Sequence, residues 1–454
     1  MRVLLIFPRF RYPSGDPPLG VAYLAASLRE AGHEPYIFDG TFSRRPVDDL
    51  RRLLREREFD LVGCTVLTSM LDSAAEVFRT CAKYSHSPVI AGGPHATVMP
   101  QQTLGLEGVD AVLVGEGEET FVQMADLGGD YTQVPGFWYH ENGGIAHTDP
   151  ASPIEDINAI PFPARDLLDM ARYMEIWYQL DAVKYGLRGT SILGSRGCPY
   201  NCAYCQPTLR KIFGRQVRFR SPENIVTELQ QLKSNYNPDG VMWLDDTFLI
   251  DQDWMRDLCD RIIEADLDMI WGCNIRADRA DREILAYMQR AGLRIVHVGI
   301  ESASQRVLDD IYHKGITIEQ VKHTVTTAHD LGLNVRGYFM LGAPTETEEE
   351  LWKTVQLANR LPLDDVSFSI TTPLPHTHLY EETKHLIDSD FSEFDYYKRA
   401  VYKEDAIINR RKLDWIKKWA YLKFYLGPRR LWRTIKSVLG ISGIRKMLLK
   451  IQRF

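Results

Sequence analysis

Short apolar runs alternate with amphipathic stretches along most of the chain, and this alternation limits the folds that it can adopt. Strands that alternate with helices of about 10–15 residues predict a parallel sheet with helices on both faces. The pattern occupies the N-terminal part of the chain and predicts a doubly wound, Rossmann-like α/β domain over residues 1–127. The predicted strands of this domain cover 2–8, 35–39, 61–66, 88–91 and 111–114.

The same alternation resumes at Gly189 and continues to residue 375. Six β–α units in this stretch are too few for a closed eight-fold barrel, which typically needs about 250 residues. We therefore predict a partial (β/α)6 barrel over residues 185–375, with functional side chains at the carboxyl ends of its strands. The predicted strands of this barrel cover 190–193, 240–244, 270–274, 295–300, 334–341 and 365–371.

Two other regions differ in composition from these domains. Residues 128–184 are rich in Gly, Pro, Asp and Asn, which predicts a linker with a small hairpin at 137–147. From residue 376 the strand pattern stops, and residues 376–454 predict a helical, basic C-terminal region. Residues 410–454 hold 14 Lys or Arg and one acid, whereas the whole chain has a net charge of −7, so the body is acidic. An acidic body argues against binding to nucleic acid.

The chain has no run of about 18 consecutive apolar residues, so we expect no membrane-spanning helix. The apolar run at 3–7 is too short for the core of a signal peptide and fits a first strand better. We therefore expect a cytoplasmic protein whose seven cysteines are reduced.

Three of the cysteines form a cluster directly after the first predicted barrel strand. Cys198, Cys202 and Cys205 have the spacing C-x3-C-x2-C, and so short a loop brings three thiolates together. A structural zinc site usually has four ligands, whereas three thiolates on a cuboidal iron–sulfur cluster leave one iron open to a substrate. The alternatives are a zinc knuckle and a chance group of buried cysteines.

Polar residues follow the other barrel strands at the points where the strands end. Asp245 and Asp246 follow the second strand, and a carboxylate there can accept hydrogen bonds from an ammonium group. Helix capping and ordinary surface ion pairs are the alternative explanations for these and the later residues. The later residues are Arg276, which suits a carboxylate, Glu301, which suits ribose hydroxyls, Ser302, and Gly342, where a backbone can approach a ligand.

Taken in this order, the motifs resemble those of the radical S-adenosylmethionine (radical SAM) superfamily over about residues 185–375. The resemblance implies a 4Fe-4S cluster on Cys198, Cys202 and Cys205, whose open iron chelates S-adenosyl-L-methionine (SAM). It also implies an electron donor such as flavodoxin or ferredoxin. The residues expected around SAM are Tyr204, Asp245, Asp246, Arg276, Glu301, Ser302 and Gly342.

The N-terminal domain resembles the cobalamin-binding domain that precedes many radical SAM barrels. The resemblance rests on Pro17-Pro18-Leu19-Gly20, Gly92-Gly93-Pro94-His95 and Gly115-Glu116-Gly117-Glu118, and it covers about residues 1–125. The Asp-x-His-x-x-Gly motif that supplies a histidine to cobalt is not in the sequence, so we expect no histidine on the lower cobalt face. The alternative is an α/β module that binds nothing. The expected cobalamin residues are Thr65, Ser69, Gly92, Gly93, His95, Gly115, Glu116 and Gly117.

The basic C-terminal region interleaves cations with Trp415, Trp419, Phe424, Tyr425 and Trp432. Such a segment either lies on an anionic membrane surface, with its aromatics in the headgroup zone, or packs on the acidic body. If the segment is a peripheral membrane element, the substrate is expected to be lipid-like or delivered by the membrane.

The resemblance predicts a cobalamin-dependent methyltransferase that acts on an unactivated carbon of a small-molecule or lipid-like substrate. An oxidative cyclase or a rearrangement enzyme that uses cobalamin without methyl transfer is the first alternative. A zinc-stabilised, non-catalytic, membrane-associated binding protein is an alternative of another class. The residues that act directly on the substrate are not identified by the sequence.

Overall fold

The computed structural model describes residues 1–10, 12–13, 15–397, 399–427 and 430–431. In these residues the N-terminal half contains a sheet in the order β2-β1-β3-β4-β5-β6-β7. Strands β1 to β5 are parallel, and β6 and β7 form an antiparallel hairpin on the β5 edge. The strands are β1 (Arg2–Phe7), β2 (Glu34–Asp39), β3 (Leu61–Thr65), β4 (Val89–Gly92), β5 (Ala111–Leu113), β6 (Phe137–Glu141) and β7 (Gly144–His147).

Helices cover both faces of this sheet, which confirms the predicted doubly wound class. Leu5 and Ala25 belong to the core on one face, and Leu4 and Phe78 belong to the core on the other. The helices are α1 (Leu19–Glu30), α2 (Pro46–Glu56), α3 (Leu71–Tyr84), α4 (Pro94–Val98), α5 (Pro100–Leu104) and α6 (Thr120–Asp126).

The segment predicted as a linker is more ordered than its composition indicated. The predicted hairpin at 137–147 exists, but it extends the first sheet, because Trp138 pairs with Val112 of β5. A further helix, α7 (Met170–Ile176), follows the hairpin. Arg165, between the hairpin and α7, makes a buried ion pair with Glu228 in the barrel, at 2.6 Å. The segment therefore belongs partly to the first domain and partly to its interface with the barrel.

The second sheet is a parallel half-barrel of six strands in the order β15-β14-β13-β12-β11-β8, which confirms the predicted partial (β/α)6 barrel. A short antiparallel pair, β9 with β10, lies outside this sheet and was not predicted. The strands are β8 (Gly189–Ile192), β9 (Ser195–Arg196), β10 (Arg218–Phe219), β11 (Gly240–Trp243), β12 (Ile270–Ile275), β13 (Leu293–Glu301), β14 (Asn334–Leu341) and β15 (Asp365–Ile370).

The barrel helices begin where the sequence provides N-caps. Thr317 and Gln320 form a capping box at the start of α12, and Thr347 and Glu350 form another at the start of α13. Such boxes satisfy backbone N–H groups that lack partners within the helix. The helices are α8 (Thr208–Phe213), α9 (Pro222–Tyr236), α10 (Gln252–Ala265), α11 (Arg282–Arg290), α12 (Ile318–Asp330) and α13 (Glu348–Arg360).

The C-terminal region closes the open edge of the half-barrel beside β15. It contains α14 (His378–Thr383) and α15 (Arg410–Tyr425). The apolar face of α15 is buried in the barrel core through Leu413, Ile416 and Phe424. In the described part of the chain, no helix is both long enough and apolar enough to cross a membrane.

Candidate functional site

The cysteine loop lies at the carboxyl end of β8, next to the short β9–β10 pair. Cys202 is buried, and Cys198 and Cys205 are partly buried. The loop is fixed to the barrel because the N–H of Ala203 donates to the carbonyl of Tyr312 at 2.8 Å. Burial raises the pKa of the Cys198 thiol to about 11 and also raises the pKa of Cys205. Thiols of this kind need a bound cation to be held as thiolates.

No three His, Cys, Asp or Glu side chains among the described residues are arranged to hold one metal ion. The three cysteines are nevertheless the only thiols of the described chain on one loop, since the other four, Cys64, Cys81, Cys259 and Cys273, are buried in separate elements. An iron–sulfur cluster binds each thiolate to a different iron, so it does not require the close grouping that a single ion needs.

Arg276, at the end of β12, lies against the cysteine loop. Its Nη1 donates to the sulfur of Cys202 at 3.6 Å, and its Nη2 donates to the carbonyl of Lys314 at 2.9 Å. Its guanidinium also pairs with Asp278 at 3.0 Å and stacks on the ring of Tyr200. Arg276 therefore lies where the sequence predicted it, but its donors are directed to the loop itself.

Glu301, at the end of β13, belongs to a buried polar cluster with Lys314 and Tyr204. The Nζ of Lys314 lies 2.6 Å from Glu301 Oε1 and 2.9 Å from the hydroxyl of Tyr204. The Tyr204 hydroxyl also donates to Glu301 at 3.2 Å. The backbone of Glu301 is in the left-handed region, with φ of 62°. This uncommon conformation holds the carboxylate beside the cysteine loop.

The two acids that follow β11 have different surroundings. The carboxylate of Asp245 is buried and accepts from the Ser195 hydroxyl at 2.5 Å and from the Gly194 N–H at 3.0 Å. Asp245 thus anchors the β8–β9 turn. Asp246 is exposed and opens into a large cavity described below. Asp246 is therefore the acid of this pair that faces open space.

Ser302 and Gly342 have structural partners where ligands were expected. Ser302 is fully buried, and its hydroxyl lies 3.3 Å from that of Thr354 on α13. Gly342 has φ of +81°, and a Cβ there would lie 2.4 Å from Leu413 of α15. The Gly342 N–H donates to Glu346 at 2.7 Å. The glycine is thus explained by helix packing and by a positive φ.

A large apolar cavity lies between the N-terminal sheet and the mouth of the half-barrel. Its volume is about 1310 Å³, including its open mouth. Thr65 and the glycines of the two predicted loops line one side, and Leu193, Phe213, Leu244 and Asp246 line the other. The predicted residues found in its wall are Thr65, Gly92, Gly93, Gly115, Glu116 and Gly117.

The glycines make room at the wall of this cavity. A Cβ at Gly92 or Gly115 would meet no heavy atom within 4 Å among the described residues, so both positions face open space. Gly93 differs, because a Cβ there would lie 2.5 Å from the Thr65 hydroxyl oxygen. Gly93 therefore allows β4 and the loop after β3 to lie side by side.

Glu116 connects the two domains beside this cavity. Its two carboxylate oxygens pair with Arg196 at 2.6 Å and with Arg218 at 2.7 Å, and both arginines belong to the β9–β10 pair. Arg196 also pairs with Glu118 at 2.5 Å. These side chains are largely buried, so the charges are weakly screened. Glu116 was predicted to bind cobalamin. In the structure it lies in the cavity wall, and its carboxylate forms ion pairs between the two domains.

His95 and Ser69 lie outside the wall of this cavity. His95 is fully buried, and its two ring nitrogens lie 3.0 Å from Thr68 Oγ1 and 3.1 Å from Gln102 Oε1. Burial lowers its pKa to about 4, so the ring is neutral near pH 7. Ser69 lines a smaller cavity next to Arg9 and Phe394. Neither side chain lines the large cavity, because His95 is turned into the core and Ser69 faces a separate cavity; their role in cobalamin binding stays a prediction.

Lys314, Arg196 and Arg218 are important residues that the sequence analysis missed. Lys314 follows an irregular turn rather than a strand, and the two arginines lie on a pair of strands only two residues long. Periodicity does not reveal such short elements. Arg218 and Arg220 flank Phe219 and do not belong to a recognised motif.

Two family descriptions match the chain in separate regions. Residues 14–125 match the B12 binding domain, and residues 192–358 match the Radical SAM superfamily. The first region contains the glycine loops of the large cavity, and the second contains the cysteine loop and the half-barrel.

Two curated relatives are similar over most of the chain. An uncharacterized methyltransferase of Pyrococcus horikoshii is 33% identical over 96% of this chain and 95% of its own length. An anaerobic magnesium-protoporphyrin IX monomethyl ester cyclase of Rubrivivax gelatinosus is 29% identical over 94% of this chain and 78% of its own length.

The fold also resembles that of a solved structure. This is TsrM, a radical S-adenosylmethionine methyltransferase from Kitasatospora setae, with cobalamin and a [4Fe-4S] cluster bound. The TM-score is 0.70 with 20% identity, and the match covers 86% of this chain and 76% of that chain.

Proposed function

Since the chain belongs to the radical SAM enzymes that carry an N-terminal cobalamin-binding domain, we propose that it transfers a methyl group to an unactivated carbon of a small-molecule substrate. The cofactors are a 4Fe-4S cluster, SAM and cobalamin. When bound, the cluster supplies the electron that splits the sulfonium of SAM, and the corrinoid supplies the methyl group that is transferred.

The residues of the cysteine loop fit the cluster and SAM. Cys198, Cys202 and Cys205 supply three thiols on one short loop, which leaves one iron of a cuboidal cluster for SAM. The Lys314–Glu301–Tyr204 cluster lies beside this loop and offers a cation, a carboxylate and a phenol to the polar groups of SAM. Tyr204, between Cys202 and Cys205 on the loop, also presents an aromatic ring, which packs edge-to-face against Tyr312.

The large cavity fits a corrinoid in position and chemistry. Its wall is mainly apolar, as a macrocycle requires, and the open positions at Gly92 and Gly115 leave space at its edge. The ion pairs of Glu116 with Arg196 and Arg218 join this wall to the β9–β10 pair of the barrel. His95 is held by Thr68 and Gln102, so this structure offers no role for His95 as a cobalt ligand.

One observation, more than the others, supports the presence of the corrinoid and the cluster in one active site. Leu193 and Leu244, which directly follow β8 and β11, line the large cavity together with Asp246 and Arg196, and Arg196 is two residues before Cys198. The corrinoid cavity therefore borders the strand end from which the cysteine loop begins. Methyl transfer from cobalt to a carbon that SAM chemistry has activated requires this proximity.

The chain's own residues orient the reactants and exclude water. Leu193, Leu244 and Phe213 form an apolar boundary on the barrel side of the cavity. Such a boundary keeps water from a reactive carbon centre. Asp246 places one carboxylate at this boundary, where it can hold a polar group of the substrate or of SAM.

The test is anaerobic reconstitution with SAM that carries a labelled methyl group. Wild-type protein should contain iron and sulfide, absorb near 400 nm, and form both 5′-deoxyadenosine and a labelled product once a substrate is supplied. Gly92→Leu fills the cavity edge without a positive φ, so it should lose corrinoid and labelled product but keep the cluster. Gly144→Leu, on the exposed hairpin, is the matched control. Zinc in place of iron would exclude the proposal.

A second candidate function rests on the relative from Rubrivivax gelatinosus, which is a cyclase. An oxidative cyclase or rearrangement enzyme would use the same cofactors without methyl transfer. In the labelling experiment it would form 5′-deoxyadenosine and an unlabelled product. The label therefore separates the two functions in one measurement.

The remaining expectations about partners and location are part of the proposal. We propose a low-potential donor such as flavodoxin or ferredoxin as the source of the electron, and a cytoplasmic location. The described part of the basic C-terminal region, Arg410–Tyr425, packs on the barrel, which favours the alternative of packing on the body. Residues 432–454, including Trp432, lie outside the described residues, and their contact with anionic membranes remains a proposal that liposome co-sedimentation tests.

A further inference from the structure

Helix α15 has two apolar faces, and only one of them packs on the barrel. The packed face contains Leu413, Ile416 and Phe424, which belong to the barrel core. The second face is a stripe of apolar residues at spacings of four, three and four, so it runs along one side of the helix. At about 100° per residue, this side is opposite the packed face. The stripe consists of Trp415, Trp419 and Leu422 of α15 and Leu426, the residue after its last turn.

The stripe is exposed to solvent along most of its length. Trp415 is 54% exposed, Leu422 57% and Leu426 59%. Trp352 of α13 widens the stripe, because its ring centroid lies 5.9 Å from that of Trp415 and 5.8 Å from that of Trp419. Three tryptophans thus form one group at the surface. Contiguous exposed apolar surface of this kind marks an interaction site.

Cations border the stripe on both sides. Arg411 and Lys418 lie along one edge, and Lys412 and Lys423 lie along the other, each about 50–70° around the helix from the centre of the stripe. All four side chains are exposed. The Nζ of Lys423 lies 4.8 Å from the ring centroid of Trp419. A partner that covers the stripe therefore meets positive charge at both of its edges.

The nearby acids of α13 and α15 are paired with lysines, so they do not cancel the charge of Arg411 and Lys423. The sequence beyond the stripe has the same sign, since residues 432–454 hold six Lys or Arg and no acid. An apolar stripe with a cationic border matches a surface of anionic lipid headgroups. The acid–lysine pairs are Asp414–Lys418 at 2.6 Å, Glu348–Lys412 at 2.5 Å and Glu349–Lys353 at 2.8 Å.

We propose that this stripe is a membrane-docking surface and that its partner is an anionic lipid bilayer. Tryptophan suits the headgroup zone, because its ring is apolar and its N–H can meet water. Leu422 and Leu426 enter the boundary of the acyl chains, and the bordering cations meet the lipid phosphates. Helix α15 then lies between the barrel and the membrane. The inference is independent of methyl transfer, and it goes beyond the proposal for residues 432–454 because it assigns the contact to a folded surface.

The test is co-sedimentation of the full-length protein with lipid vesicles. Vesicles of phosphatidylglycerol and phosphatidylcholine should bind the protein about tenfold more tightly than vesicles of phosphatidylcholine alone, and added salt should weaken the binding. The double variant Trp415→Ser, Leu422→Ser should weaken binding to the anionic vesicles about tenfold, because two apolar side chains no longer leave water. Leu426→Ser, outside the helix, should weaken it about threefold and tests the stripe without a change in α15.

Ile263→Ser is the matched control, because Ile263 on α10 is an apolar side chain that is 46% exposed outside the stripe. It should leave vesicle binding within twofold of wild type. The inference is overturned if the protein does not bind anionic vesicles, if neutral vesicles bind it equally well, or if the stripe variants bind like wild type. The last result would mean that residues 432–454 alone bind lipid, or that a protein segment covers the stripe instead.

Discussion

The Nη1 of Arg276 donates a hydrogen bond to the sulfur of Cys202, with 3.6 Å between the two atoms. The same guanidinium lies 3.7 Å from the ring centroid of Tyr200 and donates to the Lys314 carbonyl. The cation is therefore fixed against one of the three proposed cluster ligands. Hydrogen bonds to cluster sulfurs stabilise the added negative charge of the reduced state and so raise the reduction potential.

Arg276→Met should make the midpoint potential of the reconstituted cluster more negative, because it removes this N–H donor and its charge. A shift of about 60 mV corresponds to a tenfold change in the equilibrium between the two states. A redox titration followed by electron paramagnetic resonance measures it. Arg279→Gln, which removes an exposed contact with the Tyr200 hydroxyl, is the control. Equal potentials in wild type and Arg276→Met would contradict the role.

Glu116→Gln should weaken the attachment of the N-terminal domain to the barrel. The substitution removes the carboxylate that pairs with the buried Arg218 and leaves Arg196 with Glu118. Breaking a buried ion pair typically costs about 3–5 kcal/mol. Urea unfolding followed by tryptophan fluorescence should show a loss of this order, together with faster release of corrinoid. Glu119→Gln, at the exposed neighbouring acid, should change neither quantity.

Gly342→Ala should loosen α15, because the new Cβ would lie 2.4 Å from a methyl carbon of Leu413. The residue also has a positive φ, so part of any loss comes from backbone strain. Gly332→Ala isolates that part, since Gly332 has φ of +79° and a Cβ there meets no heavy atom within 4 Å among the described residues. We expect Gly342→Ala to be about 1–3 kcal/mol less stable than Gly332→Ala. Urea unfolding measures the difference, and a second substitution, Leu413→Ala, should reduce it.

Glu346→Gln should stabilise the protein at alkaline pH. Burial raises the pKa of Glu346 to about 8, although the N–H groups of Gly342 and Ala343 oppose this shift. Its Oε1 has no hydrogen-bond partner among the described residues. In the unfolded chain the pKa is about 4.3. Between these values the folded state keeps a proton that the unfolded state has lost, so stability falls as the pH rises from about 4.5 to 8.

The measurement is urea unfolding of wild type and Glu346→Gln at pH 5 and pH 8.5. We expect a gain for the variant of about 1–3 kcal/mol at pH 8.5 and a much smaller difference at pH 5. Glu349→Gln, at an exposed glutamate in the first turn of α13, three residues after Glu346, should show no such pH dependence. A pH-independent difference for Glu346→Gln would show that the carboxyl does not titrate in this range.

Much of the fold could be predicted from the sequence because hydrophobic periodicity reports directly on buried strands and helices. Strand β14 has the predicted bounds, and β13 begins two residues before the predicted start. The cysteine spacing likewise placed Cys198, Cys202 and Cys205 on one loop, since eight residues can form only a short turn. The glycine loops at 92–93 and 115–117 lie on the cavity because they follow parallel strands.

The tertiary structure alone decided which polar residues face a ligand and which support the frame. Asp245 and Asp246 are adjacent in the sequence, yet Asp245 anchors a turn and Asp246 opens into the corrinoid cavity. His95 is turned inward, and α15 packs on the barrel core from the far end of the chain. Local sequence determines whether a residue is in a strand, a helix or a turn. The direction of a side chain at a strand end, and the partner that it meets there, depend on elements that are distant in sequence and adjacent in space.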